Sequence, residues 1–336
     1  MKCNPHPAVL HHLFEAGVRH FDTASLGEIA AVREAHPEAE AYFMHPVKSR
    51  ASLLSAARVY DVRHYVIDHE DELAKIIEAT GRKDIDILVR MATPASNALV
   101  ELSGKFGAPP GEAVRLLRAV CGAGFGTGIA FHVGSQCSDP SAYLTALKVT
   151  AEVVREANVP IRYIDVGGGF PARYANYDVP PLEDFFAAIR NGLRAMPVGQ
   201  DCVTMCEPGR ALVAEACSLV AQVQLRKGTA LYINDGVHHS LSESADADVR
   251  FPARMIRPEG TCSSELQDFT VYGPTCDSVD VLPFVVPLPV DIGEGDWIEF
   301  GQIGAYSNAM TTRFNGFHPE TFVTVDSPPM GAAASP

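Results

Sequence analysis

Apolar residues recur at spacings of three and four through the first two-thirds of the chain, the signature of a buried helical face. Val9, Leu10, Leu13 and Phe14 form one set; Leu73, Ile76 and Ile77 another; Tyr143, Leu144 and Leu147 a third. Their ends carry matching signals. Ser25 and Glu28 stand at capping-box spacing, Asp139-Pro140 reads as N-cap and first turn, and Gly81 reads as a stop. Between the sets lie β-type runs at residues 20–25, 41–46, 65–68, 86–92, 129–135, 163–169 and 203–210. Strands that each couple to a helix imply a buried parallel sheet. Eight such units would close a (β/α)8 barrel. Seven are visible and the chain opens on a helix, so either the first strand is missing or the sheet is open.

From about residue 216 the rhythm changes. Residues 217–224, 230–237, 269–281, 296–301 and 321–325 read as strands, with Gly and Pro between them. Residues 241–250 read as a loop, and the Pro/Ala/Gly/Ser-rich tail 327–336 as frayed. The expected α/β architecture is a TIM-type barrel domain over residues 1–215 and a mostly β domain over 216–336.

Composition narrows the function. With 336 residues, 47% hydrophobic and 20% charged, the chain is a folded globule too large for one small core. A formal net charge of -14 repels phosphate backbones and argues against nucleic acid, while leaving a cationic small molecule open. No window reaches the roughly 18 apolar residues of a membrane span, and the start has no signal-peptide core, so a cytoplasmic protein is expected. The eight cysteines form no C-x-x-C pair and are expected to be reduced and mostly buried. Cys202 and Cys206 lack partners for zinc, His11-His12 reads as surface, and His238-His239 near Asp235 is a weak metal signal, so no metal is expected.

Polar clusters stand where the strands end, the catalytic face of such a barrel. They are Asp22, Arg90, His132 with Ser135, Gly167-Gly168-Gly169, and Glu207-Pro208-Gly209-Arg210, with Lys2 at the end of the missing first strand. A bare glycine triplet is more often a tight turn, and a lone His a satisfied core residue. Their shared end points to a site, because unpaired polar burial is costly. In the second domain Cys276-Asp277 joins a thiol to a carboxylate, with Tyr306 and Phe314 near turns.

The ordered set K-C-N-P, F-D-T-A-S, F-H-V-G-S, D-V-G-G-G-F, E-P-G-R, G-P-T-C-D-S, G-A-Y and F-N-G-F resembles the fold-type-III pyridoxal-phosphate decarboxylases. The branch it resembles is the ornithine/lysine decarboxylases, group IV, from Lys2 to Phe317. The resemblance implies that Lys2 holds pyridoxal phosphate covalently and that Glu207 pairs with its ring nitrogen. It implies that His132 stacks on the ring, and that Asp22 and Arg90 lie near the reacting amine. Gly167, Gly168, Gly169, Ser135, Gly209, Arg210 and Tyr306 would surround the phosphate. Cys276 would protonate the substrate carbon after carbon dioxide leaves, and Asp277 would meet the distal ammonium, both in the partner's site of a head-to-tail homodimer.

Diaminopimelate decarboxylases usually carry Glu after the matching Cys, so Asp277 favours a diamine-forming enzyme, with ornithine to putrescine as the leading reading. Diaminopimelate or carboxynorspermidine decarboxylation and a non-catalytic binding protein are the alternatives. The second substrate acid would be Asp246 or Glu243, and His238-His239 replace the usual Tyr-Gly. Relatives begin several tens of residues upstream, which implies an N-terminally truncated chain with Lys2 on a frayed end and weak cofactor binding.

Overall fold

The computed structural model describes residues 1–93, 98–100, 104–327 and 330. These divide into two compact units, residues 1–171 with 179–209 and residues 172–178 with 210–336.

The first unit is built on β1 (His20–Thr23), β2 (Glu40–Phe43), β3 (His64–Ile67), β4 (Asp86–Arg90), β6 (Gly126–Ala130), β8 (Tyr163–Asp165) and β9 (Val203–Met205). The strands lie in chain order and every pairing is parallel. A separate antiparallel pair, β5 (Ala98–Val100) with β7 (Ser135–Cys137), had no alternation long enough to be read from sequence. Helices over Leu26–Ala35, Arg50–Arg58, Glu70–Thr80, Pro110–Gly122, Ser141–Ala157 and Leu182–Leu193 cover the outer face. Their ends follow local chemistry. Ser25 Oγ accepts from Glu28 N at 3.2 Å while Glu28 reaches back to Ala24 N at 2.6 Å, and Gly81 closes its helix at φ 61°.

The sheet curls on itself. Tyr42, Met44, Val66, Leu88 and Ala130 form one buried cluster, joined by Tyr163 and Met205, so strands from β2 to β9 share one interior. Register keeps these residues on one face: Leu88 lies beside Gly128 and Gly128 beside Tyr163. A strand's side chains alternate faces, so the residue two steps on returns to the interior. Those residues are Arg90, His132, Asp165 and Glu207. The strands end one to five residues earlier than predicted; at β8 and β9 Gly167 and Gly169, at φ 70° and 99°, and Pro208 break the extended run.

The second unit is a six-stranded sheet in the order β12-β15-β10-β11-β13-β14. The strands are β10 (Leu219–Lys227), β11 (Ala230–Ile233), β12 (Ala253–Ile256), β13 (Leu266–Tyr272), β14 (Val286–Pro289) and β15 (Trp297–Phe300). Val223, Leu231, Phe269, Val271, Leu288, Ile298 and Phe300 fill its core. Three expectations fail here. Residues 321–325 form no strand, since Phe322, Val323 and Val325 are more than half exposed and join no sheet. The expected loop at 241–250 contains a short helix, Ser242–Asp246. β12 and β14 were missed because each has only four residues, with Pro287 and Pro289 inside β14. The predicted frayed tail lies outside the described residues apart from 327 and 330.

Candidate functional site

In the first unit a small cavity, partly open to solvent, lies at the strand ends among Met44, Val66, Arg90, Phe131, His132 and Glu207. Apolar strand positions form its floor and the polar residues two steps on form its rim. His132 Nδ1 accepts from Gly134 N at 3.0 Å, which leaves the proton of the neutral ring on Nε2. Burial, then the charges of Lys2 and Arg90, push His132 down to about 3, so it is an uncharged imidazole at neutral pH.

The glycine turn is packed against this rim. A Cβ on Gly168 would stand 2.6 Å from the Glu207 carbonyl and 3.0 Å from His132 Nε2. At Gly167 and Gly169 a Cβ would collide with the carbonyls of Phe131 and Gly134. Only glycine fits where these loops touch, so the triplet does more than turn the chain. Glu207 N donates to Gly167 O at 2.9 Å and extends the β8–β9 pairing to the cavity.

Lys2 is exposed and lies in a turn closed by Asn4 N to Met1 O at 3.2 Å. The Met1 ammonium donates to the carbonyl of half-buried Asp22 at 3.2 Å. Lys2 therefore lies in a turn beside the end of β1 and not on the frayed end expected for it. Ser135 is half-buried at the start of β7, and Gly209 is half-buried.

In the second unit Arg210 is buried. Its Nη1 and Nη2 donate to the two carboxylate oxygens of Glu243, each at 2.6 Å, and Nη1 also donates to Tyr174 Oη at 2.9 Å. The Tyr306 ring, on a backbone at φ 58°, lies 4.9 Å from the guanidinium carbon. Glu243 is thereby committed and is not a free acid for a substrate. Asp246, on the same short helix, is exposed.

The Cys276-Asp277 turn is organised by buried Asp280, which accepts from Val237 N at 3.0 Å and from Thr275 N at 3.0 Å. Cys276 N donates to Asn315 Oδ1 at 3.0 Å, and its thiol is exposed. Asp277 Oδ2 lies 3.1 Å from His238 Nε2, and the His238 ring is 5.3 Å from that of exposed Phe314. Asp280, like Asp165, went unassigned from sequence. Asp165 had a signal, an acid at the last inward position of a buried strand; Asp280 had none. The cysteines also differ from expectation: only Cys3 and Cys137 are buried, while Cys121, Cys202 and Cys217 are half-buried and Cys206, Cys262 and Cys276 are exposed.

The first unit's residues fit pyridoxal phosphate. An acid, a neutral imidazole and a guanidinium line one cavity beside a glycine turn that admits no side chain. Residues 1–214 match the family of pyridoxal-dependent decarboxylases over its pyridoxal-binding domain. The chain is 34% identical over 348 residues to the lysine/ornithine decarboxylase of Selenomonas ruminantium, covering 99% of this chain and 84% of that one. The lysine/ornithine decarboxylase of Vibrio vulnificus, solved with cadaverine, superposes with a TM-score of 0.82 at 32% identity, over 97% and 86% of the two chains. The arginine decarboxylase of Paramecium bursaria Chlorella virus, solved with agmatine, gives 0.83 at 29% identity, over 94% and 85%. The chain belongs to the fold-type-III pyridoxal-phosphate-dependent decarboxylases of the ornithine/lysine branch.

Proposed function

We propose that this carboxy-lyase acts on L-ornithine and releases putrescine, the entry to polyamine synthesis. The observation that carries the reading is Asp277, half-buried beside Cys276 and held at 3.1 Å by His238. A carboxylate there attracts a substrate whose far end is a cation. A substrate ending in an amine and a carboxylate together would bring an anion against it.

Pyridoxal phosphate supplies, when bound, an electron sink for the pair released as the bond from Cα to the carboxylate breaks. Lys2 would hold it through its amine, and Glu207 would face the ring nitrogen. Gly167, Gly168, Gly169, Ser135 and Gly209 would receive its phosphate. Neutral His132 offers a flat ring face with no charge to compete with the sink, while Asp22 and Arg90 orient the amine. Asp277, with Asp246 and Phe314, binds the substrate's distal end. Cys276 carries the proton delivered to the substrate carbon. The enzyme works in the cytoplasm as a head-to-tail homodimer in which each Cys276 turn serves the partner's cavity.

A substrate panel of ornithine, lysine, arginine and meso-diaminopimelate, read as diamine by chromatography, tests the reading. Ornithine should give the highest kcat/KM; turnover of diaminopimelate alone would sink it. For the shared site, Lys2→Ala and Cys276→Ala chains should each be nearly inactive and recover part of the activity when mixed. No recovery after proven subunit exchange would refute the shared site.

A further inference from the structure

Asp165 has no role in the account above, yet it is the most enclosed acid at these strand ends, 1% exposed. The β8–β9 register sets it beside Met205, two residues before Glu207. Gly167 links the two acids: its N donates to Asp165 Oδ1 at 2.8 Å and its O accepts from Glu207 N at 2.9 Å, and each carboxyl acts electrostatically on the other. An ionised carboxylate has only acceptors, so two neighbouring carboxyl groups can bond to each other only through a proton. Two anions this close, one of them fully enclosed, would also repel.

The surroundings favour keeping that proton. Asp22 adds a third acid, and Arg90 is the cation that opposes it. The Cys206 thiol, raised first by burial and then by Asp165 and Glu207, offers no positive charge, and neutral His132 offers none either. Burial foremost raises Asp165 to about 6 and raises Glu207 well above the ordinary carboxyl range. Asp165, which accepts from Gly167 N as well, is the anion of the pair, and Glu207 is the acid.

We propose that Asp165 is a positioning residue that holds Glu207 protonated in the cofactor-free site and, by its own negative charge, drives that proton onto the ring nitrogen of pyridoxal phosphate. The inference rests on the reading of Glu207 as the ring-nitrogen partner. The transfer balances within the site. The O–H bond of Glu207 breaks, an N–H bond forms on the ring-nitrogen lone pair, and Glu207 becomes the carboxylate that faces it. No proton enters from solvent. An acid that already carries the proton can act on an unprotonated ring, and a second anion behind it keeps the proton from returning.

Two spectroscopic readouts on the full chain test this. Stripped of cofactor at neutral pH, the protein should show an infrared carbonyl band of a buried carboxylic acid. The band should vanish on adding pyridoxal phosphate and be absent in Glu207→Gln. With cofactor labelled with 15N at the ring, the bound resonance should lie at the pyridinium position, and Asp165→Asn should move it toward neutral pyridine. Asn keeps the acceptor for Gly167 N but loses the charge, so a merely structural role would leave that shift unmoved. If Glu207→Gln moves the resonance and Asp165→Asn does not, the inference fails alone. If Glu207→Gln leaves it at the pyridinium position, the reading of Glu207 fails and the inference with it. Absence of the infrared band in the stripped wild-type chain overturns the shared proton whether or not the Asn variant folds.

Discussion

Two glutamates, Glu207 in the first unit and Glu243 in the second, meet opposite partners. Glu243 receives two guanidinium N–H groups of Arg210, each at 2.6 Å, and the pair holds its charges. Burial works against the Arg210 cation, but Glu243 and Tyr174 more than offset it and raise Arg210 above its usual range. Glu207 meets another acid, and burial raises it until it keeps its proton. The same side chain is thus an anchor in one unit and a proton donor in the other. What differs is the sign of the neighbour, because desolvation penalises whichever charge is left uncompensated.

The largest effect should come from breaking the charged pair. Arg210→Ala leaves Glu243 buried without its cation, which costs about 3–5 kcal/mol in comparable buried pairs. Urea unfolding followed by Trp297, the one tryptophan and a β15 residue of the same unit, would measure it. Arg210→Ala with Glu243→Gln should recover part of the loss; no recovery would mean that the pair is not what stabilises that region.

Glu207→Ala attacks the other side. It should lower kcat on the order of 10²–10³-fold, the scale of one lost preorganised electrostatic partner, and change substrate affinity far less. An unchanged kcat would break the comparison at its functional end.

A smaller effect separates the two acids by pH. Asp165 titrates near 6 when folded, against an ordinary value of 3.8, so the folded chain binds more protons between these values. The stabilisation from that proton is fully present below pH 3.8 and is lost as pH rises through about 6. His132 has the opposite sign: held neutral down to about 3, it costs stability as pH falls from 6.5. The difference in urea midpoint between wild type and Asp165→Asn should therefore shrink as pH rises from 4 to 8, a range set by the Asp165 shift. A constant difference would deny the Asp165 titration a thermodynamic role. The smallest effect, Ser25→Ala, removes a helix cap and should cost about 1 kcal/mol, a baseline for the larger changes.

Much of this protein is local and was open to reading from sequence. The alternation of helical and extended runs carried the seven parallel strands and their order, because parallel strands need crossover helices and leave few other topologies. The motifs at the strand ends carried the family. The boundaries were less legible: the runs 163–169 and 203–210 look extended through their last residue, yet β8 and β9 stop at Asp165 and Met205. The apolar alternation at 321–325 was misleading, since alternation states only that a segment could join a sheet.

Which charged group each acid faces was decided by tertiary structure alone. Glu243 finds Arg210 across 33 residues, and His238 finds Asp277 across 39. Glu207 finds Asp165 only because neighbouring strands set Asp165 beside Met205, two residues before Glu207. Sequence fixes the period that turns a side chain inward, since that follows from backbone geometry. It does not fix what waits there, and in a low-dielectric interior that neighbour sets whether a carboxyl is an anion or an acid.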